Sequence, residues 1–536
     1  MKKMKNNKIL NDSIINDTQV QLNLESAVVK DLIDGLTYEE IGTKYNVNMR
    51  FIEAAVTSLI GVNVSSLGKV RKITSLEPKD FAEEKTTVWS FKSRGSWATH
   101  NGDYRGNWSP YIPRNVILKY SKPGDKVLDC FCGAGTTAVE SKLLGRRCIA
   151  IDINDVAIVL AKKNLDFDLQ HDLFSKLHAD FKDKKIYTPE LFTGDARSLP
   201  FIKNESIDLI CTHPPYANII NYTKNKVGDL SFCTIEQFLE QMSQVARENF
   251  RVLKSKRICA ILIGDTRKQK HVIPMAFRFL QVYLDAGFKL KELIIKRQHN
   301  CKTTGFWYDS SIKNNFLLLA HEYLLIFEKP EVAALPLLNE SSPAYKSQFK
   351  RTKKQSEISE FALESTTVWL FPENEFEKRI DSNVFQRYSS NNSYAIINCS
   401  HDEHNTTPRS EIKIASHHEL IFIKASIPGQ EYEQLDIKYF LTELKNIIDS
   451  VLSRPNKHRY IAIQTNDITL NGFTEPVAKN LIDRLSLNEK LWLKEIIILI
   501  KENGKSAGIP DDHHLQKVHQ YILVYEVISN PAPKII

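Results

Sequence analysis

Two short stretches concentrate the residues able to do chemistry. The first is Val127-Leu128-Asp129-Cys130-Phe131-Cys132-Gly133-Ala134-Gly135-Thr136-Thr137, an apolar run that meets two glycines and opens into a helical pattern. Glycine permits a tight turn and lets main chain come close to a ligand. A helix starting there points unbonded N–H groups at that ligand. The next apolar run, Cys148-Ile149-Ala150-Ile151-Asp152, ends in an acid. An acid at this spacing can take both hydroxyls of a ribose. Gly194-Asp195-Ala196-Arg197 follows at a further strand end, and its acid suits an adenine amino group. The pattern is not G-x-G-x-x-G, because Thr137-Ala138 stands where the third glycine belongs. Cys130 and Cys132 lack a second Cys/His pair at ligand spacing, so no zinc is expected.

The second stretch is Asp208-Leu209-Ile210-Cys211-Thr212-His213-Pro214-Pro215-Tyr216. Prolines lock φ and withhold their N–H groups, which leaves the carbonyls of His213 and Pro214 as rigid outward acceptors. Such acceptors suit an exocyclic amino group that must be held with its lone pair aimed at an electrophile. Tyr216 offers a flat face for a base to stack on. Arg267, Lys268, Lys270 and His271 follow a later strand end and are candidates for phosphate contact.

The elements that must hold these residues alternate. Strand-like runs KVLDCF, RRCIAID, IDLICT, ICAILIG, LKELIIK and EYLLIFE are separated by helical pieces such as TTAVESKLL and TIEQFLEQMSQVARENFRVL. That alternation predicts an α/β domain over 81–330, with a mainly parallel sheet covered by helices on both faces. Residues 1–20 read as a flexible tail, 63–80 and 331–360 as linkers. Between them, 21–62 reads as three short helices: Thr37 and Asn48 are candidate caps, and the third helix offers Asn48 and Arg50 but little other positive charge. GLTYEEIGTKYNVNMRFIEAAV resembles a helix-turn-helix unit, which implies DNA contact; a small bundle packing on the next domain is the other reading.

A second α/β domain is expected over 361–536, because the chain repeats itself. FAEEKTTVWSF (81–91) returns as FALESTTVWLF (361–371), LKELII (290–295) as LKEIII (493–498), and HEYLLIFE (321–328) as HQYILVYE (519–526). The repeat has no glycine turn. Where the first copy has the two prolines, it reads Lys424-Ala425-Ser426-Ile427-Pro428-Gly429. It is expected to bind no cofactor and to serve packing, dimer formation or DNA contact.

The composition, 42% hydrophobic and 25% charged over 536 residues, excludes a largely disordered or fibrous chain. The net charge of +8 permits nucleic-acid binding without demanding it. No apolar stretch approaches the ~20 residues that span a bilayer. Polar NDSIINDTQ follows the basic start, so no secretory signal is read. A cytoplasmic protein with reduced thiols is expected.

Together the two motifs resemble the S-adenosylmethionine-dependent DNA amino-methyltransferases, which modify adenine N6 or cytosine N4. The family pattern D-x-F-x-G-x-G-T-T stands at 129–137. The family's second signature, Asp, Asn or Ser before Pro-Pro-Tyr or Pro-Pro-Phe, is met here with His213 in the polar place. The resemblance covers about 81–330 and implies a Rossmann-like methyltransferase sheet. It implies that Asp129, Phe131, Gly133, Gly135 and Thr136 hold the methionine portion of S-adenosyl-L-methionine, Asp152 the ribose and Asp195 the adenine. His213, Pro214, Pro215 and Tyr216 become the catalytic residues, and Gly106–Pro113 resembles the family's additional cofactor motif. Thr212 before His213 resembles the T-S-P-P pattern of cytosine-N4 enzymes. The expectation is a site-specific methyltransferase on double-stranded DNA in a restriction–modification or phage-defence setting, without metal or membrane. A cognate restriction or defence protein is a partner that setting implies. An RNA or protein amino-methyltransferase, and a catalytically weak DNA-binding homologue, are the alternatives. Recognition site and oligomeric state stay open.

Overall fold

The computed structural model describes residues 73–167, 185–216, 226–299, 302–331, 348–350, 361–400, 418–427, 434–453, 459–502 and 514–528, apart from isolated positions, together with part of 24–55. The chain divides into two compact units. One holds Met1–Glu83, Phe91–Ile261 and His299–Asp309; the other holds Glu84–Ser90, Leu262–Gln298 and Ser310–Ile536. The expected segments 81–330 and 361–536 are thus interleaved: 84–90, 262–298 and 310–330 belong with the C-terminal region.

At the start of the first unit, α1 (Tyr38–Tyr45) has Glu39 and Glu40 in its first turn and Lys44 in its last, the arrangement a helix dipole favours. Val28, Ile41, Ile52 and Ala55 are buried together, with Leu24, Leu36, Tyr45, Val47 and Phe51 against them. Asn46 turns the chain with φ +50°. Thr37, Asn48 and Arg50 lie outside the described residues.

The strand β1 (Val88–Ser90) belongs to the second unit. Then come α2 (Tyr111–Tyr120), β2 (Lys126–Asp129), α3 (Thr136–Leu143), β3 (Arg147–Asp152), α4 (Asp155–Asn164), β4 (Glu190–Thr193), β5 (Ile207–Thr212), α5 (Ile235–Val252) and β6 (Leu253–Ile263). Their strands lie in the order β6–β5–β2–β3–β4, and each neighbouring pair is parallel. β5 is buried along its whole length, as an apolar run covered on both faces must be. Thr234 and Gln237 close a capping box on α5. The helix buries Phe238, Met242, Val245, Ala246, Asn249 and Val252, the recurrence a helix needs to present one apolar face.

The second unit contains the hairpin β7 (Thr266–Lys268) and β8 (His271–Ile273), then α6 (Met275–Asp285), β9 (Lys289–Arg297) and, beyond α7 (Lys302–Lys313), β10 (His321–Glu328). β11 (Gln348–Lys350), inside the expected linker, pairs antiparallel with Asn398, Cys399 and Ser400. The remaining elements are β12 (Val368–Pro372), α8 (Phe376–Tyr388), β13 (Tyr394–Ser400), β14 (Leu420–Lys424), α9 (Gln434–Leu452), β15 (Tyr460–Thr465), the hairpin β16 (Ile468–Leu470) and β17 (Phe473–Glu475), α10 (Val477–Ser486), β18 (Leu491–Glu502) and β19 (His519–Val527). Seven of these strands form one sheet in the order β11–β13–β14–β15–β19–β18–β12. The segments that repeat in sequence also repeat in register. Val88 faces Ile295 across a parallel pair and Ile295 faces Tyr323 across an antiparallel one. Val368, Ile498 and Tyr521 stand in the same relation.

Arg267 and His271, expected as phosphate contacts, are engaged inside this unit. Arg267 donates to Glu495 Oε2 at 2.6 Å and to the Leu317 carbonyl at 2.8 Å; His271 pairs with Glu526 at 3.1 Å. A carboxylate from the repeat region meets each. No helix among the described residues is long and apolar enough to cross a membrane.

Candidate functional site

The carboxyl ends of β2, β3, β4 and β5 border a cleft of about 700 Å³, open to solvent. Open parallel sheets bind ligands at this edge because helix N-termini and loop amides gather there. Phe131, Gly133, Asp152, Asp195, His213 and Pro215 line it. Residues up to 84 positions apart in sequence are thereby brought to one wall. The other expected residues lie close by in sequence but do not line the cleft: Asp129 beneath the loop, Gly135 and Thr136 at the start of α3, Pro214 and Tyr216 beside His213.

The glycine loop is shaped by its neighbours. Gly133 and Gly135 have φ +50° and +85°, values that a side chain makes costly. A Cβ on Gly133 would stand 3.1 Å from the Tyr104 ring and 3.3 Å from Asn107 Oδ1; one on Gly135 would stand 3.0 Å from Ala161 Cβ. The glycines therefore admit the 104–107 segment on one side and α4 on the other.

Asp129 acts on the loop. Its Oδ1 accepts from the Thr212 hydroxyl at 2.6 Å and from Phe131 N–H at 3.1 Å. The Phe131 amide also reaches Thr212 Oγ1 at 3.2 Å. One buried carboxylate thus ties the end of β2 to the end of β5, the two strands that carry the two motifs. Burial pushes its pKa up to about 6 against those hydrogen bonds. Asp152 receives Gly133 N–H on Oδ2 and Asn154 N–H on Oδ1, each at 2.8 Å, and burial raises it likewise to about 6. Asp195 differs. Burial acts to raise its pKa, but the hydrogen bonds and charge of Arg197 outweigh it and hold the carboxyl below its usual range. Arg197 Nε sits 2.9 and 3.0 Å from the two oxygens.

The second motif is held by rings. His213 stacks on Trp108 with centroids 5.5 Å apart and planes 18° from parallel. Its Nε2 lies 3.1 Å from the Tyr216 hydroxyl. Trp108 is itself fixed. Arg94 donates through Nη1 to the Asn107 carbonyl at 2.7 Å and through Nη2 to the Trp108 carbonyl at 2.9 Å. A buried network anchors the same segment to α3. Glu140 Oε1 accepts from Trp97 Nε1 and faces His100 Nε2, both at 2.7 Å, while Oε2 accepts from Arg114 Nη1 at 3.0 Å.

Sequence reasoning missed Tyr104 and the far wall, Gly228-Asp229-Leu230. Gly228 has φ +96°, and a Cβ there would meet Arg197 Nη2 at 2.6 Å. Asp229 Oδ1 accepts from Ser231 N–H at 2.9 Å and its hydroxyl at 2.6 Å, which closes the loop before α5. The only sequence signal was Gly-Asp followed by Ser, the makings of a side-chain-bonded turn. Cys130 and Cys132 also line the cleft; burial pushes the Cys130 thiol up to about 12, so it is an inert wall rather than a nucleophile.

A family profile described as DNA methylase matches residues 43–163 and 207–418, more than half of the chain. Another, described as an RMKL-like methyltransferase domain, matches residues 116–273. The chain is similar to the Type II methyltransferase M.BglI of Bacillus subtilis, 32% identical over 97 residues, which cover 17% of this chain and 27% of that one. It is similar to the Type II methyltransferase M2.DpnII of Streptococcus pneumoniae, 25% identical over 162 residues, 29% of this chain and 59% of that one. It is also similar to a tRNA (guanine(10)-N2)-dimethyltransferase of Methanothermobacter thermautotrophicus, 34% identical over 138 residues, 26% and 34% of the two chains. The chain thus spans between about a quarter and three-fifths of these relatives. A solved SAM-dependent methyltransferase from Methanosarcina mazei aligns with a TM-score of 0.28 at 16% identity, over 40% of this chain and 97% of its own, a likeness too slight to argue from. With its two motifs on adjacent strand ends and the profile match across more than half its length, the chain belongs to the DNA methylase family.

Proposed function

We propose that this protein transfers a methyl group from S-adenosylmethionine to an exocyclic amino group in double-stranded DNA, cytosine N4 ahead of adenine N6. The observation that carries the reading is the single cleft in which Asp152, Asp195, His213 and Pro215 meet. The residues present fit the cofactor. Gly133 leaves the main chain bare where a side chain would collide with Tyr104 and Asn107. The oxygens of Asp152 each take one N–H, and a carboxylate has lone pairs beyond two. Phe131, Gly133, Gly135 and Thr136 would hold the methionine portion, with Asp129 setting the loop from below. Asp152 would take the ribose hydroxyls. Asp195, kept charged by Arg197, would accept from the adenine amino group. When bound, the cofactor supplies an electrophilic methyl group on a positively charged sulfur.

The chain's own residues then do the orienting. A base inside the stack does not present its amino group to the cleft, so the target nucleotide must be flipped out. The carbonyls of His213 and Pro214 would accept from its amino hydrogens and aim the nitrogen lone pair. Tyr216 would stack on the base, and the Trp108–His213 stack would keep that wall rigid. If the Tyr216 hydroxyl accepts from Nε2–H, Nδ1 of His213 is left as an acceptor in the neutral ring. The 21–62 unit would contact the duplex. The lean to cytosine rests on Thr212 before His213-Pro214-Pro215.

The DNA methylase profile and relatives named Type II methyltransferases support DNA as substrate; a restriction–modification setting with a cognate nuclease and a cytoplasmic location are part of the proposal. The tRNA-modifying relative favours a second reading, an amino group of RNA. Incubating the full chain with methyl-labelled cofactor and, separately, duplex DNA and tRNA, followed by mass spectrometry of the nucleosides, decides between them. N4-methylcytosine in DNA is expected. N6-methyladenine would correct the base, label in tRNA alone would replace the substrate, and no transfer at all with intact cofactor binding would favour a DNA-binding homologue.

A further inference from the structure

The second unit contains two sets of buried polar groups that match each other residue for residue. In one, Thr87 Oγ1 lies 2.9 Å from His519 Nδ1, His519 Nε2 lies 2.9 Å from the Tyr521 hydroxyl, and that hydroxyl donates to Asp467 Oδ2 at 3.0 Å. In the other, Thr367 Oγ1 lies 2.9 Å from His321 Nδ1, and His321 Nε2 lies 2.9 Å from the Tyr323 hydroxyl. Burial raises the pKa of Tyr323, and Asp265 lies close enough for its carboxylate to raise it further, as Asp467 does at Tyr521. Asp265 and Asp467 each cap the helix that follows, accepting from Ala276 N–H at 2.9 Å and Ala478 N–H at 3.1 Å.

Each set crosses from one repeat to the other. Thr87 comes from the first TTVW segment and His519 from the second HxY segment; Thr367 and His321 reverse that parentage. The main chain crosses in the same way. Gln516 N–H donates to Lys85 O and Thr87 N–H to Gln516 O; Leu318 N–H donates to Ser365 O and Thr367 N–H to Leu318 O, all at 2.9 Å. Two glutamates complete the exchange. Glu292 accepts from Leu515 N–H at 2.6 Å, and Glu495 from Leu317 N–H at 3.0 Å. Every contact of this set has a counterpart with the repeats interchanged. That is the signature of an isologous two-fold interface, in which residue i meets j and j meets i. Here both sides belong to one chain.

We propose that the C-terminal repeat is a built-in second subunit. It occupies, in covalent form, the surface that a two-fold partner would otherwise cover, so the protein is a single-chain pseudo-dimer with one cofactor cleft. The polar groups support this use. Both imidazoles are held neutral by burial, and each sits between a hydroxyl of the other repeat and a tyrosine of its own. Replacing either end leaves a buried polar atom without its partner, which is costly and which specifies one register of the two repeats. The same crossing explains why 84–90 and 262–298 fall in the second unit.

Two measurements on the full chain test the proposal. Analytical ultracentrifugation should give the mass of one chain, 61.5 kDa; a stable homodimer would overturn it, since the two-fold surface would then not be filled from within. Hydrogen exchange should report the crossing. Glu495→Gln should raise exchange of the Leu317 amide, in the other repeat, by about tenfold, and Glu292→Gln should do the same at Leu515. Thr87→Ser and Thr367→Ser keep the hydroxyl and should leave both amides protected. If each glutamine substitution loosens only amides of its own repeat, the proposal fails. Should Glu495→Gln not fold, the milder Thr367→Val must loosen the His321 segment, and an effect confined to 361–536 counts against it.

Discussion

Strand β5 and strand β14 are apolar, buried and parallel to their neighbours, yet they end differently. Beyond β5 the chain runs through Thr212, His213, Pro214, Pro215 and Tyr216 beside an open cleft. Beyond β14 the end is closed by its own neighbours. Lys424 pairs with Glu377 at 2.8 Å and Asp381 at 2.6 Å. Ala425 N–H donates to Gln464 O at 2.9 Å, and Ile427 exchanges two hydrogen bonds with Asn466, at 2.7 and 3.0 Å. The residues just past β5 border the open cleft, whereas those just past β14 are bonded to neighbouring segments. A strand's place in a sheet is set by burial and ladder hydrogen bonds, whereas a site depends on the few residues just past the strand. The first can persist after the second is gone.

The sharpest way to break this comparison is to remove one charge from the cleft, at the end of β3, and one from the end of β14. Asp152→Ala should weaken S-adenosylmethionine binding by about 1.5–3 kcal/mol, the worth of a hydrogen bond to a charged group. Lys424→Met should leave that affinity unchanged. Calorimetry on the two folded variants checks both, and a shift with Lys424→Met would mean that the β14 end also serves the cofactor. Gly135→Ala comes next. With φ +85° and Ala161 Cβ 3.0 Å from the new methyl, a stability loss of about 2 kcal/mol is expected in thermal unfolding.

Acid offers a third probe. Burial raises Asp152 to about 6, and the ribose hydroxyls need its carboxylate as acceptor. The free protein takes up a proton there as pH falls through 6 and must release it to bind. Cofactor affinity should therefore drop between pH 7 and 5, by up to about tenfold per pH unit. Asp152→Asn should bind more weakly at pH 7 and lack that limb; a titration with the limb intact would move the titrating group elsewhere. The smallest effect is expected at Trp108. Loss of its stack on His213 removes about 0.5–1.5 kcal/mol of ring packing. Trp108→Leu should slow methyl transfer in single turnover several-fold while leaving cofactor affinity close to the parent's. Equal losses in both would make Trp108 part of the cofactor wall instead.

Much of the first unit was legible because its signals are local. KVLDCF, RRCIAID, IDLICT and ICAILIG form its strands, and LKELIIK and EYLLIFE form strands of the second unit, since unbroken apolar runs bounded by turns fit a sheet covered on both faces. β4 escaped: Glu190–Thr193 is a short edge strand exposed at three of its four residues, and little apolar pattern is imprinted on such a segment. The glycine turn and the Pro-Pro-Tyr segment announced the cleft, because special backbone conformations demand special residues. Asp229 and Gly228 did not, since their meaning depends on Arg197 and Asp195 lying opposite.

The amino-acid sequence by itself determined the strand cores, the glycine loop, the acids at strand ends and the repetition of TTVW, LKE and H-x-Y segments. Each is a consequence of periodicity, of the φ that glycine and proline allow, or of residue order. Only the tertiary structure decided which partners those residues take. Asp129 ties two strand ends 83 positions apart through Thr212, and His213 leans on Trp108. Thr87 meets a histidine 432 positions away. These choices are made by packing, because a buried polar group must find whichever partner the folded chain brings within reach, and nothing in its neighbours along the chain says which that will be.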